Sequence, residues 1–228
     1  KKYTGSSYIA YFQAYTNTYA SLAYLEKLYM EAILHPDIRI LSIATRPDCL
    51  STEILDLLER LNQIKPVWVE LGLQTIHERT ARYIRRGYDL PVFETAVSEL
   101  RRRGIDVIVH TILCLPGETK PDMLQTIQYL NRQDIQGIKL QLLHILKDTD
   151  LAEIYASDPF PVPDPQEYYE LLGACISHLR PDIVIHRLTG DGPKELLTAP
   201  LWTCNKRQVL NQLQSYFKTH DIWQGKEY

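Results

Sequence analysis

Between residues 8 and 146, short apolar runs alternate with amphipathic stretches of helical period, and this alternation restricts the possible folds more than any other feature. YIAYFQA (8–14), IRILSIA (38–44), VWVELGL (67–73), the run 107–115 and QGIKLQLLHIL (136–146) are rich in Val, Ile, Leu and Tyr and short, which predicts buried strands. Between them, TYASLAYLEKLYMEAIL (18–34), STEILDLLERL (51–61), HERTARYIRR (77–86), 91–102 and 121–132 have the character of helices that bury one face. Ser51 opens one of these helices, and Gly87 stops another. Thr119, with Asp122 three residues on and Pro121 in the first turn, marks an N-cap. Five strand–helix alternations joined by right-handed crossovers predict an α/β chain rolled into a complete or partial barrel with its helices outside. The alternative is an open doubly wound sheet.

After Leu146 the rhythm changes. DPFPVPDPQEYY is proline-rich and polar, EYYELLGACISHL is helical, and IVIHRLTGDGP reads as one more strand ending in a glycine loop. The expected division is therefore a barrel over residues 1–146 and a C-terminal α/β extension over 147–228 packed on it. The chain opens on Lys1 rather than Met, and an upstream segment is expected.

With 228 residues, 45% of them hydrophobic, the chain can bury one sizeable core. No run approaches the ~18 apolar residues of a membrane span, and the first thirty residues lack a secretory signal, so a cytoplasmic protein without a membrane partner is expected. Cys49, Cys114, Cys175 and Cys204 lie far apart with no CxxC-type pair. They indicate neither a disulfide framework nor a local metal site. A net charge of -3 makes no general case for a polyanionic partner.

In a parallel barrel the site is built from polar residues at the C-terminal ends of the strands and in the loops that follow. These are Tyr15, Thr16 and Asn17; Thr45 and Arg46; Glu70 and Gln74; His110; and Gln141, His144 and Lys147. Each also has a plain structural reading. Thr16 and Asn17 suit a loop or a cap, Arg46 before Pro47 suits a solvated turn, and His110 suits a hydrogen-bonded core. Glu70, between Val69 and Leu71, must be paired or face a polar cavity, and an ion pair with Arg86 would satisfy it. The Arg101–Arg103 run ends a helix and reads as a solvated face. No Walker A, strand-following GxGxxG, HExxH or GxSxG is present, so pattern alone yields a polar barrel mouth without a reaction.

Taken together, AYFQAYTNTYA, SIATRPDCL, ELGLQT, RRGYD, LPGET, LLHILKDT and IHRLTGDGPKELLTAPLW resemble the radical S-adenosylmethionine (radical SAM) proteins of the YhcC-like oxidoreductase family. The likeness covers nearly the whole chain, HRLTGDGP and YFQAYTNTYA being its most specific tracts. More distantly, the core resembles the Elongator catalytic subunit and oxygen-independent coproporphyrinogen oxidase. The resemblance implies a partial (β/α)6 TIM-like barrel that binds S-adenosylmethionine and a 4Fe-4S cluster. Such a cluster is ordinarily held by three cysteines in a loop after the first barrel strand. None of the four cysteines fits that spacing, so the cluster ligands are expected upstream of Lys1, together with the first strand–helix unit.

Carried over by position, Ala14 to Asn17 stand where relatives have a glycine-rich turn at the methionyl group, which brings in Thr16 and Asn17. Thr45 and Arg46 end a strand whose polar residue contacts the cofactor. Gln74 matches a cofactor-contacting glutamine, and Arg86 an arginine that meets the cofactor carboxylate. His110 takes the place of a polar residue near the ribose, and Ile112 would contact the adenine. Substrate contacts are expected from Gln141, His144, Arg187 and Asp191, with Tyr15 as an aromatic wall. The implied activity is that of an iron–sulfur oxidoreductase with a reducing electron donor, generating a 5'-deoxyadenosyl radical for hydrogen abstraction. By analogy with the Elongator subunit, the substrate is a tRNA wobble uridine. The alternatives are a small-molecule radical SAM oxidoreductase or lyase, and a cluster-free module that binds a nucleoside or a partner.

Overall fold

The computed structural model describes residues 5–190 and 192–228. In chain order its strands and helices are β1 (Tyr8–Phe12), α1 (Leu22–Ile33), β2 (Ile38–Thr45), α2 (Thr52–Ile64), β3 (Val67–Gln74), α3 (Glu78–Tyr83), α4 (Leu90–Arg102) and β4 (Asp106–Leu113). There follow α5 (Lys120–Leu130), β5 (Gly137–Leu142), β6 (Ile145–Leu146), α6 (Asp150–Ser157), α7 (Pro165–His178), β7 (Val184–Arg187), β8 (Leu197–Ala199) and α8 (Lys206–Thr219). Six strands form one sheet in the order β1-β2-β3-β4-β5-β7, while β6 and β8 form a second. The order follows the chain without reversing, as in a barrel progression. A doubly wound sheet requires a switch point where the order turns back, and that alternative is excluded.

β1 pairs parallel with β2, and β2 with β3, setting Tyr11 beside Ser42, Ser42 beside Trp68 and Ala44 beside Glu70. Because strand side chains alternate, Tyr11, Ser42, Trp68 and Glu70 share one face. Leu41, Ile43, Val67, Val69 and Leu71 occupy the other and are buried. β3 therefore carries Val67, Val69 and Leu71 on one face and Glu70 on the opposite one.

Boundaries shift where single residues find other partners. β1 ends at Phe12 because Ala14 (φ 69°) and Tyr15 (φ 62°) adopt left-handed backbone. α1 begins at Leu22 rather than at residue 18. The Thr18 hydroxyl is instead bound to Thr45 Oγ1 at 2.6 Å and to the Cys49 carbonyl at 2.7 Å. The continuous strand expected over 136–146 divides after Leu142, and β6 pairs antiparallel with β8, Ile145 opposite Ala199. α6 is a helix the apolar pattern did not announce, capped by Thr149, whose Oγ1 accepts from Ala152 N at 3.2 Å.

By its contacts the chain divides into two compact units. The first comprises residues to Leu73 with Gly87–His110 and Gln133–Gly137; the second comprises Gln74–Arg86, Thr111–Arg132 and Ile138–Tyr228. In the first, Leu57, Leu58 and Leu61 of α2, Phe93 and Leu100 of α4 and the apolar face of β2 and β3 are buried. In the second, Tyr168, Leu172 and Cys175 of α7 are buried together with Ile127 and Leu130 of α5. The arginine run is not uniformly solvated, and here the sequence expectation fails. The Arg103 side chain is only 5% exposed, its guanidinium held by Asp56 at 3.0 Å, Glu59 at 3.5 Å and Glu99 at 2.5 Å. Among the described residues, no helix is long and apolar enough to cross a membrane.

Candidate functional site

In the first unit, the polar face of the sheet gathers one residue from each of four successive strands. Ser42 Oγ donates to Glu70 Oε1 at 2.8 Å, Tyr11 donates to Glu70 Oε2 at 2.8 Å, and His110 Nε2 lies 2.6 Å from the same Oε2. An ionised carboxylate only accepts, so His110 Nε2 carries the proton in this bond. Glu70 is 4% exposed, and a charge so buried requires partners of this kind. The sequence left His110 between a core residue and a cofactor contact. The structure gives it Glu70 as partner while leaving its side chain 18% exposed.

The loop after β1 is tied to the end of β2. Asn17 Nδ2 donates to the carbonyls of Ala44 (2.9 Å), Phe12 and Ala14 (both 3.3 Å), and the Tyr29 hydroxyl donates to the Asn17 carbonyl. Thr16 is half-buried, whereas Tyr15 is 98% exposed. Thr45 lies on the helix-facing side of β2, bound to Thr18. Arg46 grips both oxygens of Asp48, at 2.9 and 2.7 Å, which lowers the Asp48 pKa, and its guanidinium stands 5.6 Å from the centre of the Tyr88 ring. Gly87 leaves room for it, since a Cβ there would come within 2.9 Å of Arg46 Nη2.

In the second unit, the turn that closes β3 has left-handed backbone at its start. Gln74 has φ 68°, a left-handed conformation that costs a residue with a side chain about 1–2 kcal/mol. Its Oε1 is buried without a hydrogen-bond partner. Thr75, fully buried, donates through Oγ1 to Glu118 Oε1 at 2.5 Å and accepts there from His77 N at 3.0 Å. The Arg86 side chain, 2% exposed, donates to the Thr75 carbonyl at 2.7 Å and to Glu78 Oε1 at 2.9 Å. Burial raises the Glu118 pKa, against the pull of the Thr75 and Thr80 hydroxyls.

Elsewhere in this unit, Ile112, Gln141 and Arg187 are half-buried. His144 occupies the break between β5 and β6, where its Nδ1 accepts from Gly192 N at 3.2 Å. Asp191 lies outside the described residues. Sequence reasoning overlooked Tyr11, Ser42, Thr75 and Glu118. Tyr11 and Ser42 share the strand parity of Glu70, a usable signal. Nothing local in LPGET reveals that Glu118 meets a threonine 43 residues away.

Residues 2–130 match the Radical SAM superfamily, and residues 135–219 match the Radical_SAM C-terminal domain. The chain belongs to the radical SAM superfamily. This radical SAM chain is 39% identical to YtqA of Bacillus subtilis over 226 residues, covering 99% of the chain and 70% of YtqA. It is 36% identical to YhcC of Escherichia coli (strain K12), covering 94% of the chain and 70% of YhcC. Among solved structures, the archaeal Methanocaldococcus infernus Elp3 with its N-terminus deleted superposes with a TM-score of 0.81 at 16% identity, over 96% of this chain and 55% of that one. The fold is thus the partial (β/α)6 barrel of radical SAM type with an α/β extension.

Radical SAM membership implies S-adenosylmethionine and a 4Fe-4S cluster, and the residues present fit the two differently. The buried, unpartnered acceptor of Gln74 suits a ligand that offers an N–H, and S-adenosylmethionine carries two amines. For the cluster, no three His, Cys, Asp or Glu side chains converge among the described residues. The four cysteines are separate free thiols. They do not fit a cluster.

Proposed function

We propose that this chain is the S-adenosylmethionine-binding part of a radical SAM enzyme, with Gln74 as a ligand of the cofactor. The supporting observation is Gln74 Oε1, a buried acceptor without a partner on a strained strand end. Leaving such an atom unsatisfied costs about 1–3 kcal/mol, and an N–H donated by a ligand restores that loss. In a longer protein that supplied a reduced cluster, the bound cofactor would provide a 5'-deoxyadenosyl radical for hydrogen abstraction. The chain's own share in this reading is to hold the cofactor and keep water from it. The cluster is assigned to none of its residues. The chain spans 70% of YtqA and YhcC and 55% of the archaeal structure.

Within this reading the substrate is RNA, specifically the tRNA wobble uridine implied by the Elongator likeness. Tyr15, Tyr19 and Tyr24 are exposed in the loop after β1 and the first turn of α1, where aromatic faces can stack on unpaired bases.

The cofactor assignment is tested by equilibrium binding of S-adenosylmethionine to the chain. Gln74→Ala should weaken binding by about 1–3 kcal/mol through a lost charge-assisted hydrogen bond. Equal affinity in both proteins would remove the assignment.

A further inference from the structure

Thr75 is fully buried and uses its side chain and carbonyl entirely on the turn that follows Gln74. Its hydroxyl donates to Glu118 and accepts from His77 N, while its carbonyl accepts from Arg86. Glu118 belongs to the LPGET segment, which is itself internally hydrogen-bonded. Gly117 takes φ 81°, Glu118 N donates to the Leu115 carbonyl at 3.1 Å, and Thr119 with Asp122 forms the capping box that opens α5. The same segment holds the turn a second time, because His77 Nε2 donates to the Asp122 carbonyl at 2.9 Å. The start of α5 therefore grips residues 75–77 at two points, immediately after the residue with the left-handed backbone.

We infer that Glu118, acting through Thr75, is a positioning residue that holds the Gln74 amide ready for its ligand. Strain at Gln74 and an unsatisfied buried oxygen both disfavour this conformation. A relaxed turn would release the first and hydrate the second. The bonds from Glu118, Asp122 and Arg86 to the turn oppose that relaxation, so the cost of ordering the amide is met before a ligand arrives. Arg86 takes part as the donor to the Thr75 carbonyl. This inference rests on the reading of Gln74 as a cofactor ligand, and it makes Glu118 matter for affinity although it need not touch the cofactor.

The experiment combines calorimetric binding of S-adenosylmethionine with amide hydrogen exchange of the unliganded chain. Glu118→Ala and Thr75→Val should each weaken binding about tenfold, the worth of one charge-assisted hydrogen bond. Thr75→Ser, which keeps the hydroxyl, should bind within about twofold of the wild type. Because Glu118 acts through Gln74, the double variant Gln74→Ala/Glu118→Ala should bind no more weakly than Gln74→Ala alone. In the unliganded chain, Glu118→Ala should speed exchange of the His77 amide about tenfold or more while leaving β2 unchanged. Thr75→Val, which removes the same bond while leaving Glu118 in place, carries the same comparison if the alanine variant does not fold.

Multiplicative losses in the double variant, or wild-type affinity in Glu118→Ala despite a lower melting temperature, would overturn the inference. So would unchanged exchange at His77, which is read without any ligand. Failure of the cofactor reading has a different signature: no binding by the wild type, or full affinity in Gln74→Ala.

Discussion

Glu70 is the residue on which four strands converge. Replacing it with alanine takes the shared acceptor away from the Tyr11 and Ser42 hydroxyls and the His110 ring, which should cost about 3–5 kcal/mol. Glu70→Gln keeps the shape and an acceptor oxygen and should cost about 1–3 kcal/mol. Urea denaturation of both variants checks the order, and a loss below 1 kcal/mol for alanine would show that the row is not held together through the carboxylate. Gly190 poses a steric question instead. A Cβ there would come within 2.7 Å of the His144 ring and 2.9 Å of the Leu142 carbonyl. Gly190→Ala should therefore destabilise by about 1–3 kcal/mol. His144→Ala in the same chain should recover part of that loss, the carbonyl contact remaining; no recovery in the melting temperature would place the strain elsewhere. The residue scale is also where sequence reading went least far. The pattern showed that Glu70 needed partners, but Tyr11, Ser42 and His110 approach it from strands distant in the chain.

Among the elements, α2 and α4 are joined by Arg103, which binds Asp56 and Glu59 of one helix and Glu99 of the other. Hydrogen bonds from Arg102 and Arg103 hold the Glu99 carboxyl down at about 2, from an ordinary 4.5. A depressed carboxyl stabilises the fold fully above its unfolded pKa, and that contribution is lost as pH falls through the folded one. The window is therefore pH 4.5 down to 2. Stability measured by urea at pH 6, 4 and 3 should decline across it, and Arg102→Met with Arg103→Met should flatten the decline; an unchanged slope would mean that Glu99 is not the titrating group. The starts of α2 and α5 were legible because their caps are local. Ser51, Asp122 and Thr119 act within three residues, and the structure uses all three. The break at Leu143–His144 was not, because β6 leaves the main sheet for β8, a strand more than fifty residues later.

For the whole molecule, a net charge of -3 means that RNA binding must draw on stacking as well as on local basic patches. tRNA affinity should fall as salt rises, since any phosphate contact releases counterions. Tyr15→Ala with Tyr19→Ala should weaken it by about 1–3 kcal/mol per stacked base. Absent or salt-insensitive binding would remove RNA as the substrate and leave a small molecule. The alternation of apolar strands and amphipathic helices determined the α/β class and the progression of strands by itself, because side-chain period and local caps are properties of neighbouring residues. Tertiary structure alone decided that Glu70 meets Tyr11, Ser42 and His110, that Arg103 is buried, and that Glu118 reaches Thr75. Those contacts join residues brought together by sheet order and helix packing, and a buried polar group takes the partner the fold delivers, whatever its distance along the chain.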